Sequence, residues 1–143
     1  MVSYFANAVV IIGLDAMLAV LNVSGAGSLR GLSGTAPADA DASLSGNTLL
    51  FQCALSSTSF AGATDGTGKA TAIANAITQD SSADATGTAT FCRFYNNAGV
   101  CKWQGTITAT GGGGNLQLVT VSIVATQPVS CSSFTMNLLE AGT

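Results

Sequence analysis

The sequence predicts a mainly β chain: an antiparallel β-sandwich or jelly-roll-like domain preceded by an N-terminal α-helix. Three observations predict it. Short runs of alternating apolar and polar residues recur between positions 28 and 138, separated by turns rich in Gly, Asn and Pro. The clearest hairpin, residues 88–104, joins two such arms through Asn96-Asn97-Ala98-Gly99, residue types that accept the positive φ of tight turns. One stretch, residues 4–23 (YFANAVVIIGLDAMLAVLNV), is apolar almost throughout and carries the Leu, Met and Ala of a helix.

That helix is expected to stop at Ser24-Gly25-Ala26-Gly27. On a helical wheel Ser3, Asn7, Asp15 and Asn22 share a narrow stripe, which Ile11 and Leu18 also enter. A helix so apolar on nearly all sides is normally covered, and in a small domain neighbouring subunits can supply the cover. It does not read as a secretory signal, because a basic start and a good cleavage site are missing. Nor does it read as a membrane span, with Asp15 at its centre and too short an uninterrupted apolar run. The junction near Gly25 divides residues 1–24, the apolar helix and assembly arm, from residues 25–143, the β-sandwich.

Residues 28–37 read as a short strand ending in a Gly/Pro turn, and 38–47 as a loop with Asp39 and Asp41 solvated. Residues 48–56 (TLLFQCALS) form a strong strand. Residues 60–68 are turn-like, and 69–78 alternate well enough for a strand, although Ile73 and Ile77, four apart, keep helix in competition. After a turn at 80–84 comes the hairpin. Pairing Tyr95 with Val100 sets Phe94 opposite Cys101 and Cys92 opposite Trp103, with Arg93 and Lys102 pointing away together. A one-residue shift would set Phe94 against Lys102. Phe94 and Trp103 are therefore the expected core of the hairpin, whose second arm continues to Thr110. A flexible tip at 111–114 precedes the last strands, 116–124 and 128–138, the latter needing a bulge at Ser132-Ser133 to keep one inward face.

Only 8% of the residues are charged, so the surface must be largely small and weakly polar, which suits close subunit packing. A net charge of −3 with four basic residues excludes a phosphate-tracking surface, and no nucleic-acid partner is expected. The chain has no histidine, which removes the commonest general base and metal ligand. Cys53, Cys92, Cys101 and Cys131 all fall in alternating segments and read as buried thiols or as one or two disulfides. Cys92 with Cys101 is the first bridge to test. No close cysteine pair of the zinc-binding kind exists.

Gly66-Thr-Gly-Lys69 resembles the end of a phosphate-binding loop, but Ala63 and Ala70 stand where Gly and Ser or Thr are needed. Asp80 with Asp84, or Asp39 with Asp41, lacks the ligand number of a calcium loop. Asn22-Val-Ser24 matches a glycosylation acceptor only formally. The reading is of a non-enzyme: no catalytic residue, cofactor, metal or membrane contact is expected.

Several stretches together resemble small virion structural proteins of tailed bacteriophages. They are the opening helix with Asp15, the Leu29-Arg-Gly-Leu-Ser-Gly-Thr-Ala-Pro37 segment, the run from Ala74 to Thr90, Arg93-Phe-Tyr-Asn-Asn-Ala-Gly99, and Ser122-Ile-Val-Ala-Thr-Gln-Pro-Val-Ser130. The resemblance spans most of the chain; its motifs are structural, and the cysteines depart from it. It implies a virion subunit assembled in the bacterial cytoplasm, foremost a capsid decoration (cement) protein that binds the major capsid protein and stabilises the shell. The expected partners are copies of itself, a trimer among the options, and the major capsid protein or another virion protein. A neck, tail or fibre (receptor-binding) component is the alternative, and a pilin-like filament subunit the third. Tyr4, Phe5, Val9, Ile12, Leu14, Met17 and Leu21 are the expected assembly residues of the helix.

Overall fold

A computed structural model describes residues 3–22 and 25–140. The helix α1 (Asn7–Leu21) is followed by eleven strands: β1 (Ser28–Leu32), β2 (Leu49–Leu55), β3 (Thr64–Gly66), β4 (Lys69–Ile73), β5 (Ile77–Thr78), β6 (Gly87–Thr88), β7 (Phe91–Tyr95), β8 (Cys101–Ala109), β9 (Leu116–Leu118), β10 (Ser122–Ile123) and β11 (Cys131–Leu139). The chain is mainly β, with one N-terminal helix and a sandwich-like sheet, the class its sequence predicts. The expected end of the helix at Val23 and the Val23 and Ser24 of the glycosylation triplet lie outside the described residues.

Nine strands form one sheet in the order β3-β4-β11-β9-β8-β7-β1-β2-β5, and β10 pairs with β6 in a small second sheet. The large sheet curls on itself. An antiparallel bridge between Asp80 and Val129 joins the segment after β5 to the segment before β11, although four strands separate β11 from β2 in the sheet order. The enclosed core holds Phe51, Phe60, Phe94 and Phe134 with Leu29, Leu50, Leu116 and Leu118. Phe134 stacks at 5.4 Å on Phe60 and edge-on at 5.1 Å on Trp103, the offset geometries that aromatic quadrupoles favour.

Pairing is antiparallel except between β8 and β9, which run parallel with Ile107 beside Leu116. Parallel neighbours ordinarily need a long crossover. Here residues 110–115 suffice because glycine lets the chain double back over Thr108. A Cβ at Gly112 or Gly114 would lie 2.7 or 2.9 Å from Thr108 atoms, and Gly111 and Gly113 hold φ of 85° and 80°. The Gly114 N–H donates to Thr108 Oγ1 at 3.0 Å, and the Gly111 N–H to Gln117 Oε1 at 2.9 Å. The segment expected to be a tip is the crossover between parallel strands, exposed at Gly111–Gly113 and buried at Gly114.

Residues 69–78 split. β4 pairs with β11, then the chain leaves the sheet and β5 pairs with β2, so neither one strand nor a helix spans the segment. β3, whose Thr-Asp-Gly carries no apolar residue, forms a hairpin with β4 around Thr67-Gly68; this is the Gly66–Lys69 sequence that resembles a phosphate loop. In β11 the register shifts between Cys131 and Ser133, at the bulge its apolar pattern requires.

The β7–β8 hairpin corrects the expected register. Tyr95 pairs with Cys101, the register then shifts, and Phe94 faces Trp103 while Cys92 faces Gly105. Asn96 closes the turn by accepting the Val100 N–H on its side chain at 2.9 Å and donating its own N–H to the Val100 carbonyl at 3.0 Å. Lys102 is the extra residue. Skipping it brings Trp103 beside Phe94 and lets its ring cover Gly105, where a Cβ would come within 2.0 Å of the indole. Arg93 and Lys102 accordingly do not point away together: Arg93 faces Gln104 and is buried, and Lys102 is exposed.

Candidate functional site

Three features carry the chemistry of this chain: the two faces of α1, a row of arginines and glutamines, and the thiols. Val10, Leu14, Leu18 and Leu21 recur at helical spacing and are all buried in the core, which seats the helix against β4 and β11. Two side chains of the polar stripe, the exposed Asp15 and the half-buried Asn22, bond another part of the chain. Asp15 Oδ1 accepts the Ala63 N–H at 2.7 Å, and Asn22 Oδ1 accepts the N–H groups of Ser59 and Phe60 at 2.8 and 3.3 Å. These side chains satisfy backbone donors of the connection between β2 and β3.

The face left to solvent is apolar. Ile12 is 69% exposed, Phe5 and Val20 56% each, Val9 52% and Met17 46%, with Ala8, Ala16 and Ala19 between them. Two apolar grooves flank the helix. One, of about 210 Å³, lies between Met17, Val20 and Leu21 and the side chains of Lys102, Trp103 and Met136. The other, of about 200 Å³, is lined by Phe5, Val9, Val10, Gly13, Leu138 and Leu139. Burying the rest of each large side chain is worth roughly 1 kcal/mol, so the face offers a neighbour about 5 kcal/mol before association entropy.

Of the seven expected assembly residues, Tyr4, Phe5, Val9, Ile12 and Met17 are exposed. Leu14 and Leu21 are not available: they are 1% and 5% exposed and point into the core, because a helix packed on a sheet buries one side whatever its outer side carries. Val20 and Leu139 belong to the exposed set and were not expected. The signal of Val20 was drowned by a helix apolar in every direction, and Leu139 joins the set only because the end of β11 lies beside the helix.

On the outer side of the sheet, Gln52, Arg30, Arg93 and Gln104 stand in register across β2, β1, β7 and β8. Arg30 Nε donates to Gln52 Oε1 at 2.8 Å, and its guanidinium lies 4.0 Å from the Tyr95 ring centre, a cation–π contact. Arg93 is only 3% exposed because residues 37–42 fold over it. Its Nε donates to Gln104 Oε1 at 2.9 Å, and its Nη2 to the carbonyls of Asp39 and Ala42 at 3.1 and 2.8 Å. Gln104 in turn donates to the Pro37 carbonyl at 2.9 Å. Asp39 is exposed, as expected, and also caps the loop by accepting the N–H groups of Asp41 and Ala42.

Cys92 and Cys101 do not meet, since their strand partners are Gly105 and Tyr95. The sulfurs that meet are Cys131 and Cys53, 3.1 Å apart. The Cys131 thiol donates to Cys53, which favours the Cys53 thiolate and lowers its pKa, while the shared proton and burial hold Cys131 protonated. Burial pushes the Cys92 thiol up from 9.0 to about 12. The unfolded chain therefore releases this proton near pH 9 while the folded one keeps it, so stability is fully present below pH 9 and falls as pH rises toward 12. The expected loss is roughly 1.4 kcal/mol per pH unit in that window. Chemical unfolding at pH 8 and pH 11 checks it: Cys92→Ala should lose less over this interval than the parent, and parallel losses would refute the assignment.

Among the described residues, no group of three or more Cys, Asp or Glu side chains gathers as a metal site, and no helix is long and apolar enough to cross a membrane. Asp80, a candidate calcium ligand by sequence, accepts the Gln52 N–H on Oδ2 and the Ser82 N–H on Oδ1. No protein family, curated protein or solved structure matches the chain.

Proposed function

We propose that this chain is a non-enzymatic assembly subunit whose working surface is the outer face of α1. The observation that carries the reading is the division of the helix: Val10, Leu14, Leu18 and Leu21 fill the core, Asp15 and Asn22 bond the β2–β3 connection, and Val9, Ile12, Met17 and Val20 are left exposed with the Asp15 carboxylate, itself exposed, as the one charge on the helix. Nothing in the folding of a monomer requires that arrangement. Apolar faces of this kind mark contact surfaces, and copies of one chain are the partners most readily matched to a surface they all share.

The particle is assigned from sequence resemblance alone. On that basis the chain is a structural subunit of a tailed-phage virion, foremost a capsid decoration protein that bridges major capsid proteins, with the neck, tail or fibre as the alternative location. Shell stabilisation needs buried area repeated many times and no reacting group, in keeping with a weakly charged surface.

Sedimentation velocity tests the surface. The parent should sediment as an oligomer, and Ile12→Asp with Val20→Asp should return it to a monomer with an unchanged far-ultraviolet spectrum. A monomeric parent, or an oligomer indifferent to both changes, refutes the helix as the contact. Antibody labelling of purified particles then separates shell from tail.

A further inference from the structure

We infer that Cys53 and Cys131 form a disulfide once the protein leaves a reducing environment, stapling the two parts of the curled sheet, and that Cys92 and Cys101 stay thiols. The inference stands independently of the assembly surface. It rests first on position. Cys53 lies on β2 and Cys131 opens β11, 78 residues apart, and the four intervening strands of the sheet keep these two from being neighbours in the ladder. They meet only because the sheet curls, and they meet beside its closure. The Cys53 sulfur lies 3.7 Å from the carbonyl oxygen of Val129, the residue that bridges to Asp80 with N–H···O contacts of 2.8 and 3.0 Å.

It rests next on geometry and access. The sulfurs stand 3.1 Å apart, about 1 Å beyond a bond of roughly 2.05 Å, a gap that small side-chain rotations close. Cys131 is partly exposed and Cys53 fully buried, which orders the chemistry. An external disulfide such as oxidised glutathione reaches Cys131 first. Cys131 attacks one glutathione sulfur as its proton passes to the Cys53 sulfur it is hydrogen-bonded to, forming a mixed disulfide; the departing glutathione thiolate then takes that proton and leaves as a thiol, restoring the Cys53 thiolate. The Cys53 thiolate then attacks the Cys131 sulfur, forming the internal bond and releasing the second glutathione. Two protein thiols lose two protons and two electrons, and one glutathione disulfide is reduced to two thiols. Cys92 has no such partner: its sulfur is buried against the Gly105 and Thr106 carbonyls at 3.6 and 3.7 Å. Cys101 lies at the turn end of the β7–β8 hairpin, its sulfur 3.6 Å from the Trp103 carbonyl oxygen.

The bond would close a loop long enough to restrict the unfolded chain strongly, and it would add a covalent link to a seam otherwise held by hydrogen bonds such as the Asp80–Val129 bridge and those between Ala83 and residues 126 and 127. The test equilibrates the full chain with oxidised or reduced glutathione, traps free thiols by alkylation, and reads intact mass and cross-linked peptides. In the oxidised buffer the mass before alkylation should fall by about 2 Da, two of the four thiols should escape the reagent, and the linked peptides should carry Cys53 and Cys131. The oxidised protein should melt roughly 10 °C above the same protein in dithiothreitol. Cys131→Ala should abolish that difference. Four alkylated thiols, a bridge through Cys92 or Cys101, or a link between two chains would overturn the assignment, and an unchanged melting temperature despite the bridge would overturn the staple.

Discussion

Leu14→Asp is expected to abolish cooperative folding, whereas Ile12→Asp, two residues earlier on the same helix, leaves the fold intact. Leu14 is 1% exposed within the cluster that includes Phe60, Phe94 and Phe134. Removing a buried leucine side chain costs about 3–5 kcal/mol through lost transfer energy and the cavity left behind. A carboxyl group in the same place adds the cost of burying a polar group without a partner, another 2 kcal/mol or more. The sum, about 5–7 kcal/mol or more, reaches the lower end of the stability of an ordinary domain, typically about 5–15 kcal/mol. Urea unfolding followed by fluorescence reads the outcome, since Trp103, the single tryptophan, lines the groove beside α1. A midpoint for Leu14→Asp equal to that of the parent would mean that the helix is not seated as described. Point substitutions are the sharper test of assembly, because deleting residues 1–24 would remove Val10, Leu14, Leu18 and Leu21 from the core along with the outer face.

The second large effect concerns Arg93. Arg93→Ala is expected to destabilise the protein by about 3 kcal/mol and to free residues 37–42 from the sheet. One buried guanidinium donates to Gln104 and to two loop carbonyls, and hydrogen bonds from a charged donor contribute about 1.5–3 kcal/mol. Removing it also frees Gln104, which holds the Pro37 carbonyl. Arg93→Lys should recover little of the loss, since a single ammonium on a shorter stem cannot reproduce the fork. Amide exchange at Asp41 and Ala42 measures the loop directly. Unaltered exchange there, with a stability change below about 1 kcal/mol, would show that the turn capped by Asp39 holds the loop by itself.

How much of this was legible beforehand depends on whether the signal is local. Strands such as Leu49–Leu55, whose burial alternates at Gln52, Cys53, Ala54 and Leu55, announce themselves because one face meets the core and the other meets water. The bulge at Ser132 is readable from a broken parity. The hairpin was readable as a hairpin, but its register was decided by Trp103 finding Phe134 and a glycine to lie over, and Phe134 is 31 positions away in sequence. Arg93 reads as a surface cation until residues 37–42 fold over it. The meeting of Cys53 with Cys131 depends on the curl of the entire sheet, and no spacing rule encodes that. The helix poses a different problem: apolar on all sides, it cannot reveal by pattern which leucines face in, and Leu14 and Leu21 were assigned to the wrong side for that reason.

The seat of α1 on β4 and β11 also governs when the protein becomes safe to handle. A ribosome that has made the helix must still produce Leu139 before the second of the two strands beneath that helix exists, and until then the leucines meant for the interior lie partly bare beside the exposed apolar side chains. Synthesis interrupted anywhere before that strand therefore yields an adhesive fragment, and only the finished chain has those leucines covered on both flanks.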